Sequence, residues 1–240
     1  MFFKRYIEGL WVVAEGAVYQ LFGDNSDDYI IDLKDYNFDN LMYINIGIDV
    51  GETESGTAFT ATGFEKNYAG IVALDADWIK GNALTDPTAL YEAFHAFLAR
   101  QQYDGVKVKA IYFDKAQQFL KRGLVTYLSS KGINIQVYDS LKYPINDRIM
   151  VTNALFSTYK LKISTRCPHL IKAFKEAVWK ANTTPMERLD DFTSDIDSLD
   201  SFEYSIEDGM YNIVTFLQKP KIRFPKENLM IKLQTQRLYE

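Results

Sequence analysis

The pattern of apolar and polar positions predicts a sheet that opens with three strands. The first run covers 43–50, turn residues follow it at 51–55, and two further β-rich runs cover 57–64 and 68–74. Apolar and small or polar residues alternate through the first run, as in a half-buried strand. Because the connections are short, we expect the three strands to pair as an antiparallel meander.

Helical periodicity follows the meander. A helix is predicted to begin at Asp86-Pro87, since Asp favours the cap position and Pro the first turn. A strand at 108–113, an amphipathic helix at 116–130 and a strand at 133–138 come next. This strand–helix–strand order predicts a right-handed parallel crossover. The fold class is therefore α/β, with a mixed five-stranded sheet flanked by helices and the first three strands antiparallel.

The rest of the domain is predicted to be mainly helical. Helices are expected at 146–159, 168–181 and 195–207, with a short hairpin strand at 160–164. The predicted organisation is an N-terminal arm at 1–40 that packs on the domain, a domain at 41–211 and a basic C-terminal tail at 212–240.

Composition excludes several classes of protein. The 240 residues are 47% hydrophobic and 15% aromatic, which is too apolar for a disordered chain. The single cysteine, Cys167, excludes an internal disulfide and favours a reducing compartment. The N-terminus lacks the apolar stretch of a signal peptide or a membrane span, so we expect a cytoplasmic protein without membrane association.

The acidic charge is concentrated in one segment. Residues 187–208 contain nine acidic residues and one Arg, so this segment carries −8 in a chain whose net charge is −5. An acidic chain is not expected to coat nucleic acid non-specifically. The chain end from Lys219 is basic instead.

Two aspartates are predicted to meet at one edge of the sheet. Asp49 lies near the end of the first strand, and Asp114 closes the fourth. In a meander followed by a parallel crossover these two strands become neighbours, so their ends share an edge. On the predicted late helix, Asp197 and Asp200 are three residues apart and therefore lie on one face.

Carboxylates this close repel one another, and a hard divalent cation relieves the repulsion. Mg²⁺ and Mn²⁺ bind carboxylate oxygens and bridge phosphate oxygens in phosphoryl transfer, so the cluster predicts a nuclease or a related site. Structural roles are the alternative. Asp197 forms a passable capping box with Ser194, Asp114 could cap the next helix, and Asp49 could orient the turn at Gly51.

Three motifs carry a family resemblance. They are Tyr-Ile-Asn-Ile-Gly-Ile-Asp49-Val-Gly-Glu-Thr-Glu-Ser-Gly-Thr-Ala, Ala-Ile-Tyr-Phe-Asp114-Lys-Ala and Asp197-Ser-Leu-Asp200-Ser-Phe-Glu-Tyr204-Ser. In this order they resemble the nuclease domain of the large terminase subunit of tailed bacteriophages and prophages. Segments 4–19 and 145–149 also resemble that family, and the likeness extends to about Tyr211.

The resemblance implies a ribonuclease H-like nuclease that cuts concatemeric viral DNA into packaging units with two divalent cations, Mg²⁺ or Mn²⁺. By this resemblance Asp49 bridges both ions, Asp114 ligates one, and Asp200 ligates the other. Asp197 completes or tunes the Asp200 side. One ion would activate the attacking water and the other would stabilise the leaving 3′ oxygen.

The resemblance also implies partners. These are double-stranded DNA, a terminase small subunit, a portal and an ATPase domain, all in the cytoplasm of a bacterial host.

Residues 51–57 have two glycines but lack the Lys of a Walker A loop and lead into a strand. We therefore expect the nuclease part of a terminase, with the ATPase part absent.

DNA is expected to be held through its backbone by Lys and Arg, because the acidic cluster repels phosphate until a cation neutralises it. The candidates near the sheet edge are Lys115, Lys121, Arg122 and the basic run that begins at Lys160.

Two other functions stay open. Residues 47–58 also resemble the first phosphate loop of the actin, Hsp70 and sugar-kinase superfamily, which binds ATP. That function needs two such domains and a second glycine-bearing loop, and Asp114-Lys-Ala replaces the Asp-x-Gly turn. The other alternative is a noncatalytic phage assembly module, in which the acidic helix and the basic tail only contact other proteins.

Overall fold

The computed structural model describes residues 16–51, 55–80, 86–181, 183, 187–190 and 195–217. The first part of the predicted N-terminal arm, Ser194 and the basic tail from residue 218 lie outside the described residues.

A single mixed sheet forms the centre of the described chain. Its seven strands are β1 (Ile30–Ile31), β2 (Leu41–Asp49), β3 (Gly56–Glu65), β4 (Ile71–Lys80), β5 (Val108–Phe113), β6 (Gln136–Asp139) and β7 (Leu161–Ser164). The order across the sheet is β1-β7-β4-β3-β2-β5-β6.

Helices cover both faces of this sheet. They are α1 (Gln20–Asp24), α2 (Pro87–Ala99), α3 (Gln118–Ser130), α4 (Ile145–Ser157), α5 (Pro168–Glu176), α6 (Ile196–Glu207) and α7 (Met210–Leu217). Strands β2 and β3 pair antiparallel, as do β3 and β4, which confirms the predicted meander. Strands β2, β5 and β6 are parallel neighbours, as the predicted crossover requires.

The predicted count of five strands is wrong. Residues 161–164 do not form a hairpin; β7 follows α4 and pairs parallel to β4 on its free edge. The short β1 then pairs parallel to β7. Two residues are too few to produce a periodic pattern, so β1 gave no signal in the sequence.

Two hydrophobic clusters sandwich the sheet. On one face α2 and α3 pack against β2, β3 and β5, and Phe59, Phe94 and Phe97 are fully buried there. On the other face α1 and α4–α7 pack together around Phe156 and Phe202. Each face of the sheet therefore has its own apolar layer, as expected for strands covered by helices on both sides.

Two elements have ends that differ from the predicted ones. Helix α5 ends at Glu176 and not at 181, because the residues after it form bridges that pair Val178 with Ala17 and Trp179 with Arg188. Strand β4 begins at Ile71 and not at 68, because a 3-10 turn at Lys66–Tyr68 precedes it.

The described parts of the predicted arm and tail lie on the domain. In the arm, Phe22 and Tyr29 are buried and their rings contact Phe156. Helix α7 runs across the boundary predicted at 211, and its side chains Ile213 and Val214 are buried. Residues 16–40 and 212–217 thus share the core of the domain.

Candidate functional site

The carboxyl ends of β2 and β5 bring Asp49 and Asp114 to one edge of the sheet. The two strands are parallel, with Ile48 opposite Phe113. The next residue, Asp114, donates its backbone N–H to the Ile48 carbonyl at 3.1 Å. Both aspartates are buried, each 9% exposed. The predicted meeting of these two strand ends is therefore present in the structure.

Helix α6 lies directly on this part of the sheet because small residues line the contact. A Cβ atom on Gly47 would stand 1.8 Å from the Ser201 carbonyl oxygen, so only glycine fits there. Hydroxyl hydrogen bonds join the two layers, between Thr60 and Ser201 at 2.7 Å and between Thr62 and Ser205 at 2.6 Å. The register of α6 on the sheet is fixed by these contacts.

The first turn of α6 carries Asp197 to the start of β3. The N-cap of the helix is Asp195, whose carboxylate accepts a hydrogen bond from the Ser198 amide at 3.0 Å. Asp197 instead accepts from the Gly56 amide at 2.7 Å and from the Trp78 indole at 3.4 Å. Ser194, the partner of Asp197 in the predicted capping box, lies outside the described residues.

Four carboxylates act on one another at this edge. Burial raises the pKa of Asp49 well above its usual range, and the charges of Asp200, Asp197 and Asp114 raise it further. Burial also raises the pKa of Asp197 to about 6. The charges of the other three predicted residues therefore reach the buried Asp49.

Protein cations contact two of these carboxylates. The ammonium of Lys142 lies 2.6 Å from Asp114. The guanidinium of Arg188 lies 2.5 Å from Asp200, and that of Arg148 lies 3.5 Å from the same oxygen. These three cations partly neutralise a cluster that would otherwise repel itself.

A fully buried glutamate stands behind Asp200. Glu203 lies 2.7 Å from Arg148 and 2.8 Å from Arg188, and the Tyr19 hydroxyl donates to it at 3.1 Å. Burial raises the pKa of Glu203, and the two guanidinium groups oppose that rise. The carboxylate is paired on two sides, as a buried charge must be to remain ionised.

Sequence reasoning did not select Glu203, Glu207, Arg188 or Lys142. Two signals existed. Glu203 and Glu207 follow Asp200 at helical spacing, and Arg188 is the one cation of the acidic segment 187–208. Lys142 carried no such signal, because it reaches the site from the loop after β6.

The donor set matches a hard divalent cation in chemical type. Carboxylate oxygens are what Mg²⁺ and Mn²⁺ prefer, and the buried, mutually repelling charges at Asp49 favour a bound cation. Within the described ranges, no group of three or more His, Cys, Asp and Glu side chains lies close enough to hold an ion. In this arrangement Lys142 and Arg188 contact Asp114 and Asp200.

The predicted DNA contacts are scattered. Lys115 follows Asp114 directly and is exposed, and Arg122 is exposed on α3. Lys121 lies 2.5 Å from Asp139. Lys160 precedes β7, whose start pairs with Ile71, so it lies at the opposite end of the sheet. At about 3.3 Å per residue along β2, that end is about 20 Å from Asp49. Lys160 is therefore not at the site edge.

Of the helices that the structure describes, none has the length and apolar character needed to cross a bilayer. At the level of sequence, no family model matches the chain. No curated protein matches it either.

Solved structures share the fold. The large terminase of a thermophilic bacteriophage aligns at a TM-score of 0.61 with 20% identity, over 85% of this chain and 47% of that chain. The nuclease domain of the P22 large terminase aligns at a TM-score of 0.60 with 11% identity, over 83% of this chain and 98% of that domain. The large terminase nuclease domain of bacteriophage SPP1, with bound Mn, aligns at a TM-score of 0.53 with 15% identity, over 75% of this chain and 95% of that domain.

The chain thus spans about half the length of the large terminase from the thermophilic phage, while it matches nearly all of the isolated nuclease domains. Its fold is that of large terminase nuclease domains.

Proposed function

We propose that this chain is a metal-dependent DNA endonuclease of ribonuclease H-like architecture, equivalent to the nuclease part of a phage large terminase. The observation that carries the proposal is geometric: the Asp114 backbone bonds to Ile48 beside the buried Asp49, and helix α6, which carries Asp197 and Asp200, packs against the same strand at Gly47. The charges of these three aspartates raise the pKa of Asp49. This arrangement occurs in a fold shared with terminase nuclease domains, one of which was solved with bound Mn.

Each carboxylate has a distinct role in this proposal. Asp49, Asp114 and Asp200 would hold two divalent cations, Mg²⁺ or Mn²⁺, and Asp197 would complete or tune the Asp200 side. When bound, such cations activate water and stabilise the leaving 3′ oxygen of a phosphodiester. The Ala116 amide orients Asp114 at 3.0 Å, and Arg188 orients Asp200.

The proposed substrate is double-stranded, concatemeric viral DNA that is cut during genome packaging. A small terminase subunit, a portal and an ATPase domain are the proposed partners, and the bacterial host cytoplasm is the proposed location. The support for these is the likeness to terminases, of which the chain spans about half the length.

Plasmid cleavage tests the proposal. Purified protein is incubated with supercoiled plasmid in Mn²⁺, in Mg²⁺ and in EDTA, beside Asp49→Ala, Asp114→Ala, Asp200→Ala and Asp197→Ala. A matched control is Asp208→Ala, since Asp208 directly follows the same helix but pairs with Lys109 on the surface. Loss of a residue that only hydrogen-bonds a metal ligand lowers activity about 10–100-fold. Loss of a ligand itself is therefore expected to lower the cleavage rate by more than about 100-fold.

We expect metal-dependent relaxation and linearisation by the wild type and by Asp208→Ala. The first three variants are expected to be inactive, and Asp197→Ala to lose less activity, because Asp197 is already held by Gly56 and Trp78. Cleavage that persists in Asp49→Ala would refute the site. Absence of cleavage with any metal would favour the noncatalytic assembly module, and retention on ATP resin would favour the ATP-binding fold.

A further inference from the structure

The loop after β6 has an unusual backbone at Lys142. This residue has a φ of +49°, a left-handed backbone conformation that residues other than glycine rarely adopt. Such a conformation persists where the surroundings fix it, and it is concentrated at functional sites. The conformation of Lys142 therefore requires a structural cause.

The cause is Glu207 at the end of α6. Its carboxylate accepts hydrogen bonds from three consecutive amides, those of Leu141 at 2.7 Å, Lys142 at 3.2 Å and Tyr143 at 3.1 Å. Glu207 is itself 1% exposed, so this anchor lies inside the protein. A buried carboxylate that gathers three amides fixes the backbone of the loop.

The fixed backbone aims Lys142 at the carboxylate cluster. Its ammonium lies 2.6 Å from Asp114, and its charge also lowers the pKa of the neighbouring Asp49. In the described part of the chain, three cations pair with two of the four aspartates, Lys142 with Asp114 and the two arginines with Asp200. The side chains of Arg148 and Arg188 are 5% and 2% exposed, whereas that of Lys142 is 42% exposed.

We propose that Lys142 binds a phosphate of the DNA backbone at the carboxylate cluster, and that Glu207 is the positioning residue that holds it there. This inference rests on the proposed nuclease function. Lys142 pairs with Asp114 in the metal-free protein. A divalent cation held by the carboxylates would compensate the charge of Asp114 in place of the ammonium, and the exposed Lys142 would then be free to bind a phosphate of the DNA.

Binding without cleavage tests the inference. The affinity of a short fluorescent DNA duplex is measured by anisotropy in Ca²⁺ and in EDTA, over a range of salt, for the wild type, Lys142→Ala and Lys142→Arg. Lys109→Ala is the matched control, because Lys109 is 48% exposed and pairs with Asp208 at 2.8 Å. It precedes Ala110 on β5, near the opposite end of the sheet.

In Ca²⁺ we expect Lys142→Ala to weaken binding about tenfold and to reduce the slope of log affinity against log salt by about one. Lys142→Arg should keep most of the affinity, and Lys109→Ala all of it. In EDTA, where Lys142 is already paired, the variants should differ little. Equal affinities and slopes for Lys142→Ala and Lys109→Ala in Ca²⁺ would overturn the inference.

The proposed function fails separately from this inference. If the wild type neither binds duplex in Ca²⁺ nor cuts plasmid in Mn²⁺, both are wrong. If the wild type does both and Lys142→Ala behaves like the control, only the inference is wrong.

A double-mutant cycle tests the part played by Glu207. Glu207→Gln keeps one acceptor oxygen and loses the other, so it should weaken DNA binding in the wild-type background. It should have no further effect in the Lys142→Ala background. Additive effects of the two changes would contradict a positioning role for Glu207, because a purely structural residue would act in both backgrounds.

Discussion

The carbonyl oxygen of Ser201 lies where a side chain on Gly47 would begin, at 1.8 Å from the position of a Cβ atom. This approach places helix α6, with Asp197 and Asp200 at its start, against the strand that ends in Asp49. The position of half of the carboxylate cluster therefore depends on the absence of one methyl group.

Gly47→Ala is expected to destabilise the protein by about 1–3 kcal/mol or more, because the methyl group meets rigid backbone and α6 must shift. The control is Gly63→Ala on β3, whose new Cβ would meet the flexible ends of the Leu41 side chain at 2.9 Å. Urea unfolding measures both free energies. Equal losses in the two variants would show that the contact with Ser201 does not constrain the helix.

Arg188→Met removes the cation that holds two carboxylates. Asp200 and the buried Glu203 both lose an ion pair, so we expect a loss of about 3–5 kcal/mol in the free energy of unfolding. Arg122→Met, at an exposed position, should stay within about 0.5 kcal/mol. Adding Glu203→Gln to Arg188→Met should recover part of the loss, since the buried charge that has lost one of its two cations is then gone. A double variant no more stable than Arg188→Met would contradict this explanation.

Asp49→Asn is expected to have opposite effects with and without metal. In EDTA at neutral pH the variant should be more stable than the wild type, because burial and three carboxylates disfavour the charge of Asp49 and raise its pKa. In Mn²⁺ the wild type should gain about 2.7 kcal/mol at a concentration of 100 times the Kd, and the variant much less. Urea unfolding in both conditions measures this crossing. Equal stabilisation of both proteins by Mn²⁺ would place the ion elsewhere.

The buried Glu207 predicts a pH dependence of stability. Its pKa is raised from 4.5 to about 7, chiefly by burial. The folded state therefore binds the proton more tightly than the unfolded state, so stability is lost as pH rises from about 4.5 to about 7. Relative to Glu207→Gln, the wild type should lose up to about 3 kcal/mol across this range. Parallel pH profiles of the two proteins would contradict the raised pKa.

The residues at this edge of the sheet could be predicted from the sequence because local signals and topology agree there. The meander and the crossover are each encoded by short segments, and together they oblige β2 and β5 to be neighbours. Asp49 and Asp114 then meet wherever the two strands end. The spacing of Asp197 and Asp200 likewise follows from helix geometry alone.

The supporting cations depend on contacts that are distant in sequence. The backbone conformation of Lys142 is fixed by a hydrogen bond to Glu207, which lies 65 positions along the chain. Arg188 pairs with Glu203, 15 positions along the chain, and its backbone forms a bridge with Trp179. No periodicity or cap signals such pairings, so sequence patterns predicted the four aspartates and left out the cations and the buried glutamates that pair with them.

Locating the ion tests the central claim most directly. Crystals soaked in Mn²⁺ are measured for anomalous scattering, which identifies the metal without reference to activity. The account predicts a peak coordinated by Asp49 together with Asp114 or Asp200, with the Lys142 ammonium no longer on Asp114. A peak that avoids Asp49, or no peak in crystals of protein that cuts DNA with Mn²⁺, would contradict it.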